Sequence, residues 1–108
     1  MNSDERSNYL YSLGILLQDL RRRRGLTQEE MAKYLGCSRQ HISSIERGND
    51  VSTWEIMMYA DTCGVSVATI LDDGRGLCEN TTLWEKYKKL PDEHKKIIND
   101  MIFALTTK

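Results

Sequence analysis

The sequence predicts an all-α fold in which a five-helix domain is followed by a C-terminal two-helix extension. Apolar residues recur at spacings of three and four along most of the chain, which is the period of an amphipathic helix. A single proline and few runs of β-branched residues argue against a sheet. The length of 108 residues, of which 40% are hydrophobic, suits one domain with an appendage.

A stripe of leucines predicts the first helix, and a capping box predicts the start of the second. Four arginines at 21–24, followed by Gly25, suit the C-terminus of the first helix. Thr27 and Glu30, three residues apart, are typical of a helix N-terminus. The leucine stripe consists of Leu10, Leu13, Leu16, Leu17 and Leu20. The inner face of the second helix consists of Met31, Ala32 and Leu35.

Serine residues mark the starts of the third, fourth and fifth helices. Gly36 ends the second helix, and Ser38 caps the third. Ser52 forms a second capping box with Glu55 and opens the fourth helix. The residues of that helix predicted to face inward are Ile56, Met57 and Ala60. Ser66 opens a short fifth helix through Val67, Ile70 and Leu71.

The segment from Asp72 to Gly76 predicts the end of the domain, because its two aspartates and two glycines are typical of a turn or linker. We therefore predict a domain over residues 8–74, a linker over residues 75–78 and a helical extension over residues 79–108. Within the extension, Pro91 suits the first position of a last helix.

Positive charge is concentrated in one part of the chain, although the net charge of the whole is −1. Residues 21–47 contain seven Lys and Arg against three Glu, a net charge of +4, whereas residues 48–71 carry −3. The first 20 residues carry −2, and the remainder is balanced. A local excess of positive charge favours a nucleic-acid partner.

Residues 28–47 are interpreted as two short helices joined by a three-residue turn, the usual way of placing a helix in a DNA groove. Ala32 is small enough for the helices to cross closely, and Gly36 tolerates the positive φ of an abrupt turn. Ile42 and Ile45 are predicted to face the core. At about 100° per residue, the positions that then face outward are Gln40, Ser44 and Arg47, flanked by Ser43.

The outer face of this third helix carries side chains that can read bases. Arg39 and Gln40 lie in the first turn, where such a helix places side chains at base edges. Gln pairs with adenine and Arg with guanine, each contributing about 1–3 kcal/mol of discrimination. Gln28 can donate to a phosphate together with free amides at its helix N-terminus. A polar outer face alone is common in α-proteins, but its combination with the helix register and local basic charge favours DNA binding.

The chain resembles the phage-repressor (Cro/C1-type, XRE) helix-turn-helix family over residues 9–74. The resemblance lies in the sequences LTQEEMA at 26–32 and SSIERG at 43–48, followed by Gly64-Val65-Ser66. It implies a lambda-repressor-like five-helix domain that binds operator DNA, usually as a dimer on inverted repeats. It also implies base contacts by Arg39, Gln40 and Ser44. The backbone contacts it implies are Gln28, Ser43, Arg47 and Asn49, and we predict that Ser38 joins them.

The family also pairs a basic residue late in the first helix with the glutamate of the sequence Glu-Arg-Gly. Arg21 and Glu46 occupy these positions, so the resemblance implies a structural ion pair between them. The loop at residues 48–52 departs from the family because it lacks the proline and basic residues of many relatives. Asp50 in this loop would repel DNA phosphate unless it points away.

The extension carries too many large apolar side chains to be left in water. They are predicted to meet the same segment of a second chain, since one module with few base contacts binds DNA weakly. Packing back on the five-helix domain and binding of a protein antagonist are the alternatives. The predicted dimerisation residues are Trp84, Tyr87, Ile98, Met101, Ile102 and Leu105.

Other classes of site find little support in the sequence. Cys37, Cys63 and Cys78 share no metal-ligand spacing, so buried thiols in a reducing compartment are favoured over a redox switch. His41 is interpreted as a spectator, with pH sensitivity as the alternative. No secretory signal or apolar run of membrane-spanning length is present, which predicts a cytoplasmic protein. No catalytic set, phosphate loop or cofactor motif is visible either.

The sequence therefore predicts a transcriptional regulator, a repressor that binds a palindromic operator in double-stranded DNA as a homodimer. The alternative is an antitoxin or interaction adaptor whose C-terminal helices bind a protein partner, such as a toxin. An enzyme is disfavoured.

Overall fold

The computed structural model describes residues 2–79, and within them five α-helices confirm the predicted all-α class. The predicted extension helices and dimerisation residues, from Trp84 to Leu105, lie outside these residues. The helices are α1 (Ser3–Arg23), α2 (Gln28–Leu35), α3 (Arg39–Glu46), α4 (Thr53–Cys63) and α5 (Val67–Glu79).

Side-chain caps fix where α2, α3 and α4 begin, and all three confirm the sequence prediction. The side chain of Thr27 accepts a hydrogen bond from the backbone N–H of Glu30, and that of Ser52 from the backbone N–H of Glu55. Ser38 accepts in the same way from His41 at the start of α3. Each cap satisfies a backbone donor that a helix end otherwise leaves unpaired.

α1 begins earlier than the leucine stripe indicated. Its cap is Asn2, whose side chain accepts from the backbone N–H of Glu5, while the Glu5 carboxylate accepts from the backbone N–H of Asn2. This capping box adds two turns before Leu10, of which residues 3–7 are polar and exposed. The signal was present in the sequence as Asn2 followed three residues later by glutamate, but no apolar period accompanies it.

The core forms where α1 packs against α3, α4 and α5, and where α2 packs against α3. Burying the apolar side chains of this core supplies the main driving force for folding, because apolar surface is removed from water. Its buried members are Leu13, Leu16, Leu17, Leu20, Met31, Ala32, Ile42, Ile45, Ile56, Tyr59, Ala60 and Ile70.

The linker predicted over residues 75–78 is wrong, because α5 continues as a helix through Glu79. Packing against α1 explains why two glycines do not end it. Gly74 is buried, and a Cβ there would lie 3.6 Å from both Leu13 Cδ1 and Leu16 Cδ1. The Ser12 hydroxyl also donates to the Gly74 carbonyl oxygen at 2.8 Å. A small residue is therefore favoured at this helix crossing.

The predicted inner face of α4 is correct for Ile56 and Ala60 but wrong for Met57, whose side chain is 45% exposed. Tyr59 lies inside instead and is fully buried. Its ring fills the core while its hydroxyl reaches a buried partner on α3. A tyrosine can be buried in this way when its polar end is satisfied.

Gly14 lies at the closest crossing of α1 and α3, and Gly14→Ala is expected to lower the free energy of unfolding by about 1–3 kcal/mol. An added Cβ would lie 2.8 Å from the carbonyl oxygens of both Ile45 and Glu46, and backbone cannot yield cheaply. Urea denaturation of the variant measures the loss. Gly76→Ala is the matched control, since nothing lies within 4 Å of its Cβ position. The control is expected to be at least as stable as wild type. A Gly14→Ala variant as stable as Gly76→Ala would contradict the prediction.

Candidate nucleic-acid interface

The α2–α3 pair forms a compact helix-turn-helix. α2 ends at Leu35, and Gly36 adopts φ of 71°, a left-handed conformation that costs glycine little. Ser38 caps α3 two residues later. The turn therefore consists of residues 36–38, as the sequence predicted, and it directs α3 sharply away from α2.

α3 has an apolar face turned inward and a polar face turned outward. Ile42 is 0% and Ile45 is 1% exposed, so both lie in the core as predicted. Arg39 and Gln40, in the first turn, are exposed, and Ser44 is half-buried on the same outer side. The three residues predicted to contact bases are thus accessible along one helix.

The residues predicted to contact the DNA backbone lie around this face, and several already hold local hydrogen bonds. Arg47 Nη1 donates to the Ser43 hydroxyl at 3.1 Å. Asn49 Nδ2 donates to the Ser44 carbonyl oxygen at 3.1 Å and so caps the end of α3. Ser38 Oγ accepts from the backbone of His41, which leaves its own O–H to donate.

Behind the outer face, Glu46 accepts hydrogen bonds from side chains on α1, α2 and α4. Arg21 Nε donates to Oε2 at 2.8 Å and Arg21 Nη2 to Oε1 at 2.9 Å, which is the ion pair that the resemblance implied. Gln28 Nε2 donates to Oε1 at 3.2 Å, and the Tyr59 hydroxyl donates to Oε2 at 2.7 Å. The remaining Arg21 nitrogen, Nη1, donates to the Leu26 carbonyl oxygen at 2.7 Å. We call this cluster the Glu46 network.

The Glu46 network is buried, and its surroundings keep the Tyr59 hydroxyl protonated. The side chains of Arg21 and Glu46 are only 7% and 1% exposed. Burial, and then the Glu46 charge and hydrogen bond, raise the pKa of Tyr59 far above its ordinary value, so its hydroxyl keeps the proton that it donates. A buried charge pair with every polar atom satisfied holds one geometry.

Gln28 connects this network to the predicted phosphate contacts. One of its amide N–H groups is used by Glu46, and the second remains for a phosphate oxygen. Its position at the start of α2 also places the free backbone amides of that helix nearby. The predicted role of Gln28 thus stays a prediction, with its side chain oriented by Glu46.

The start of α3 is also tied to the start of α4. The His41 Nε2 atom contacts the Glu55 carboxylate, which in turn accepts from the backbone of Ser52. Burial alone would raise the pKa of Glu55, but the hydrogen bonds from Ser52 and His41 outweigh it and lower that pKa. The Glu55 carboxylate therefore stays ionised near neutral pH and holds the two helix N-termini together.

Most of the positive charge of residues 21–47 faces solvent. Arg21 is neutralised within the Glu46 network, whereas the other six Lys and Arg of this segment are exposed. Arg24 also donates through Nε to the carbonyl oxygen of Thr62, near the end of α4. This surface charge suits an electrostatic approach to DNA.

Two cysteines whose surroundings are described behave as ordinary thiols. Cys37 and Cys63 are free and half-buried, and burial is the main cause that raises the pKa of each. A thiol with a raised pKa is a weak nucleophile at neutral pH. Among residues 2–79, no group of three or more His, Cys, Asp or Glu is placed to hold a metal ion. No helix among the same residues has the length and apolar character to cross a membrane.

Sequence reasoning missed two members of this region. Tyr59 was missed because the sequence pattern does not decide whether an aromatic residue on α4 is buried or exposed. Only the fold brings its hydroxyl to Glu46. Arg6 was missed because it precedes the apolar stripe of α1, yet its guanidinium donates to Asp50 in the loop after α3. The capping box at Asn2 was the one available signal that α1 extends far enough to bring Arg6 there.

Comparison with known proteins agrees with this geometry. A family described as a helix-turn-helix domain matches residues 12–71, more than half of the chain. A similar solved structure is the clp gene regulator ClgR from Corynebacterium glutamicum, with 27% sequence identity and a TM-score of 0.65. That similarity covers 75% of this chain and 87% of the other. No curated protein matches the chain. The chain therefore belongs to the helix-turn-helix domain family of DNA-binding transcriptional regulators.

Proposed function

We propose that the protein is a sequence-specific repressor that reads its operator through α3 and binds an inverted repeat as a homodimer. The observation that carries the proposal is the division of α3 into two faces. Ile42 and Ile45 hold the helix against the core, while Arg39 and Gln40 extend from its first turn into solvent. A helix presented in this way fits the major groove of B-DNA.

The outer face supplies both kinds of contact that a specific complex needs. Arg39 and Gln40 have the donor and acceptor geometry to pair with guanine and adenine edges. Arg47 and Asn49, after the last turn of α3, are exposed and supply donors for phosphates. Base contacts provide selectivity and phosphate contacts provide register, so this division of residues supports sequence-specific binding.

Dimerisation and repression rest on further arguments. A single module with three base-reading side chains binds weakly, and two half-sites one turn apart combine their binding energies. The apolar residues from Trp84 to Leu105 are the proposed contacts between the two chains. The similar structure of a clp gene regulator supports a role in gene control. Occupation of promoter DNA would then be enough to repress transcription.

Selection of bound fragments from a pool of random duplexes, using the purified full-length chain, tests the proposal. We expect enrichment of inverted repeats whose half-site centres lie about 34 Å apart, one helical turn. Enrichment of single half-sites would contradict the homodimer. No enrichment of any sequence would contradict the proposed function itself.

Gln40→Ala is expected to relax base preference at one position in each half-site while leaving the fold intact. The lost pairing corresponds to about 1–3 kcal/mol, or roughly 5- to 150-fold in preference at that position. Competition binding with duplexes substituted at each operator position measures it. Gln18→Ala, the same change on α1, is the control and is expected to keep the wild-type preference. Unchanged preference in Gln40→Ala would contradict the assigned role.

A further inference from the structure

The loop after α3 lies directly against the first half of α1. A Cβ on Gly48 would be 2.9 Å from Tyr11 Cα, and a Cβ on Gly14 would meet the carbonyl oxygens at the end of α3. The exposed start of α1 therefore borders the same edge of the domain as Arg47 and Asn49. This is the edge to which the proposed phosphate contacts at the C-terminal end of α3 belong.

An ion pair joins the start of α1 to the loop after α3 at this edge. Arg6 Nη2 donates to Asp50 Oδ1 at 2.5 Å, across 44 residues of sequence. The side chains are 64% and 73% exposed, so the pair sits in water and contributes little to stability. The ion pair instead changes the local charge. It places the Arg6 guanidinium against Asp50, the one acidic residue between Glu46 and Glu55.

The local charge balance makes this cation important. Arg6 is the only Lys or Arg among the first 20 residues. Asp4 and Glu5 occupy the first turn of α1 beside it. Without Arg6, the first 20 residues would hold no Lys or Arg, and the Asp50 charge in the loop would lose the guanidinium that it contacts. Such an edge would repel a DNA backbone that approached Arg47 and Asn49.

We propose that Arg6 is a positioning residue for DNA binding, which neutralises Asp50 and so allows the loop at residues 48–52 to lie against a phosphate backbone. The inference rests on the proposed function, since it concerns the same DNA-binding face. It resolves the expectation that Asp50 would repel phosphate unless it points away. Asp50 keeps its place in the loop because its charge is cancelled by a residue from α1.

The pair makes the effects of the two residues interdependent. Arg6→Gln uncovers the Asp50 charge and is expected to weaken DNA binding about 3- to 10-fold at low salt, with a shallower salt dependence. Asp50→Asn removes the charge that Arg6 covers and is expected to bind within about twofold of wild type. The double variant is also expected to bind within about twofold of wild type, because Arg6→Gln uncovers no charge when residue 50 is asparagine.

The test measures the affinity of the full-length wild type and the three variants for the selected operator duplex and for an unrelated duplex, over a range of salt concentrations. Backbone contacts carry no sequence information, so all four proteins should keep the same ratio between the two duplexes. Their denaturation midpoints should agree closely, because an exposed pair contributes little to the folded state. Asp61→Asn, the same change on the exposed side of α4, is the control for net charge and should stay within about twofold of wild type.

Two kinds of result overturn the inference. Arg6 does not act through Asp50 if all four proteins bind DNA with equal affinity. The same conclusion follows if Arg6→Gln lowers the affinity by the same factor whether residue 50 is Asp or Asn. Both leave the proposed function standing, because wild type still selects its operator. A wild-type protein that binds no duplex overturns the proposed function and this inference together.

Discussion

Replacing Glu46 with alanine is expected to lower the free energy of unfolding by about 3–5 kcal/mol. The change leaves the Arg21 guanidinium buried without its carboxylate, and it also removes the acceptor for the Tyr59 hydroxyl. Both groups were desolvated on folding, and neither can regain water without opening the domain. Urea denaturation followed by circular dichroism at neutral pH measures the loss.

Two companion proteins separate the cost of an unpaired charge from the loss of an attractive pair. Glu29→Ala, an exposed glutamate in the first turn of α2, is the matched control and is expected to change stability by less than about 1 kcal/mol. The double change Arg21→Met with Glu46→Met removes both charges and is expected to cost less than Glu46→Ala alone. A double variant less stable than the single one would contradict this explanation.

Ile45→Ala is expected to lower the free energy of unfolding by about 2–5 kcal/mol. The side chain is 1% exposed and joins the core beneath α3, so its removal leaves a cavity where α3 meets α1. Because the polar face of α3 is untouched, the folded fraction is expected to keep the wild-type operator preference. Denaturation gives the stability, and competition binding at low temperature gives the preference.

Gln40→Ala is the control for Ile45→Ala, since it lies on the opposite face of the same helix. Gln40 is exposed, and alanine has at least as high a helix propensity, so its stability should stay within about 0.5 kcal/mol of wild type. A comparable loss of stability in both variants would mean that the two faces of α3 are wrongly assigned. A change in base preference in Ile45→Ala as large as that in Gln40→Ala would also contradict this assignment of the two faces.

The Glu46 network also explains how the proposed base contacts and the stability of so small a domain can be changed separately. Its donors come from α1, α2 and α4, while its acceptor is the last residue of α3. α3 is therefore fixed at its C-terminal end by buried polar groups and along its length by Ile42 and Ile45. The exposed side chains of Arg39 and Gln40, in the first turn, take no part in that support. Substitutions there are expected to alter specificity without altering the fold.

Local features of the candidate site could be predicted well from the sequence. The caps at Thr27, Ser38 and Ser52 act over three residues, and the faces of α3 follow from a period of 3.6 residues. The Arg21–Glu46 pair was implied by resemblance, and the structure contains it. Gly74 and Gly76 misled the prediction of a linker, because local glycine preference was outweighed by packing of α5 on α1.

The sequence by itself determined that this protein is helical, where α2, α3 and α4 begin, and which face of α3 is polar, since these depend on residues a few positions apart. Only the tertiary structure decided that Tyr59 and Gln28 meet at Glu46, and that Arg6 meets Asp50. These partners are 13 to 44 residues apart in the chain. Their meeting depends on the angles and distances at which the helices pack. Burial of the whole core sets this geometry, and no short segment sets it alone.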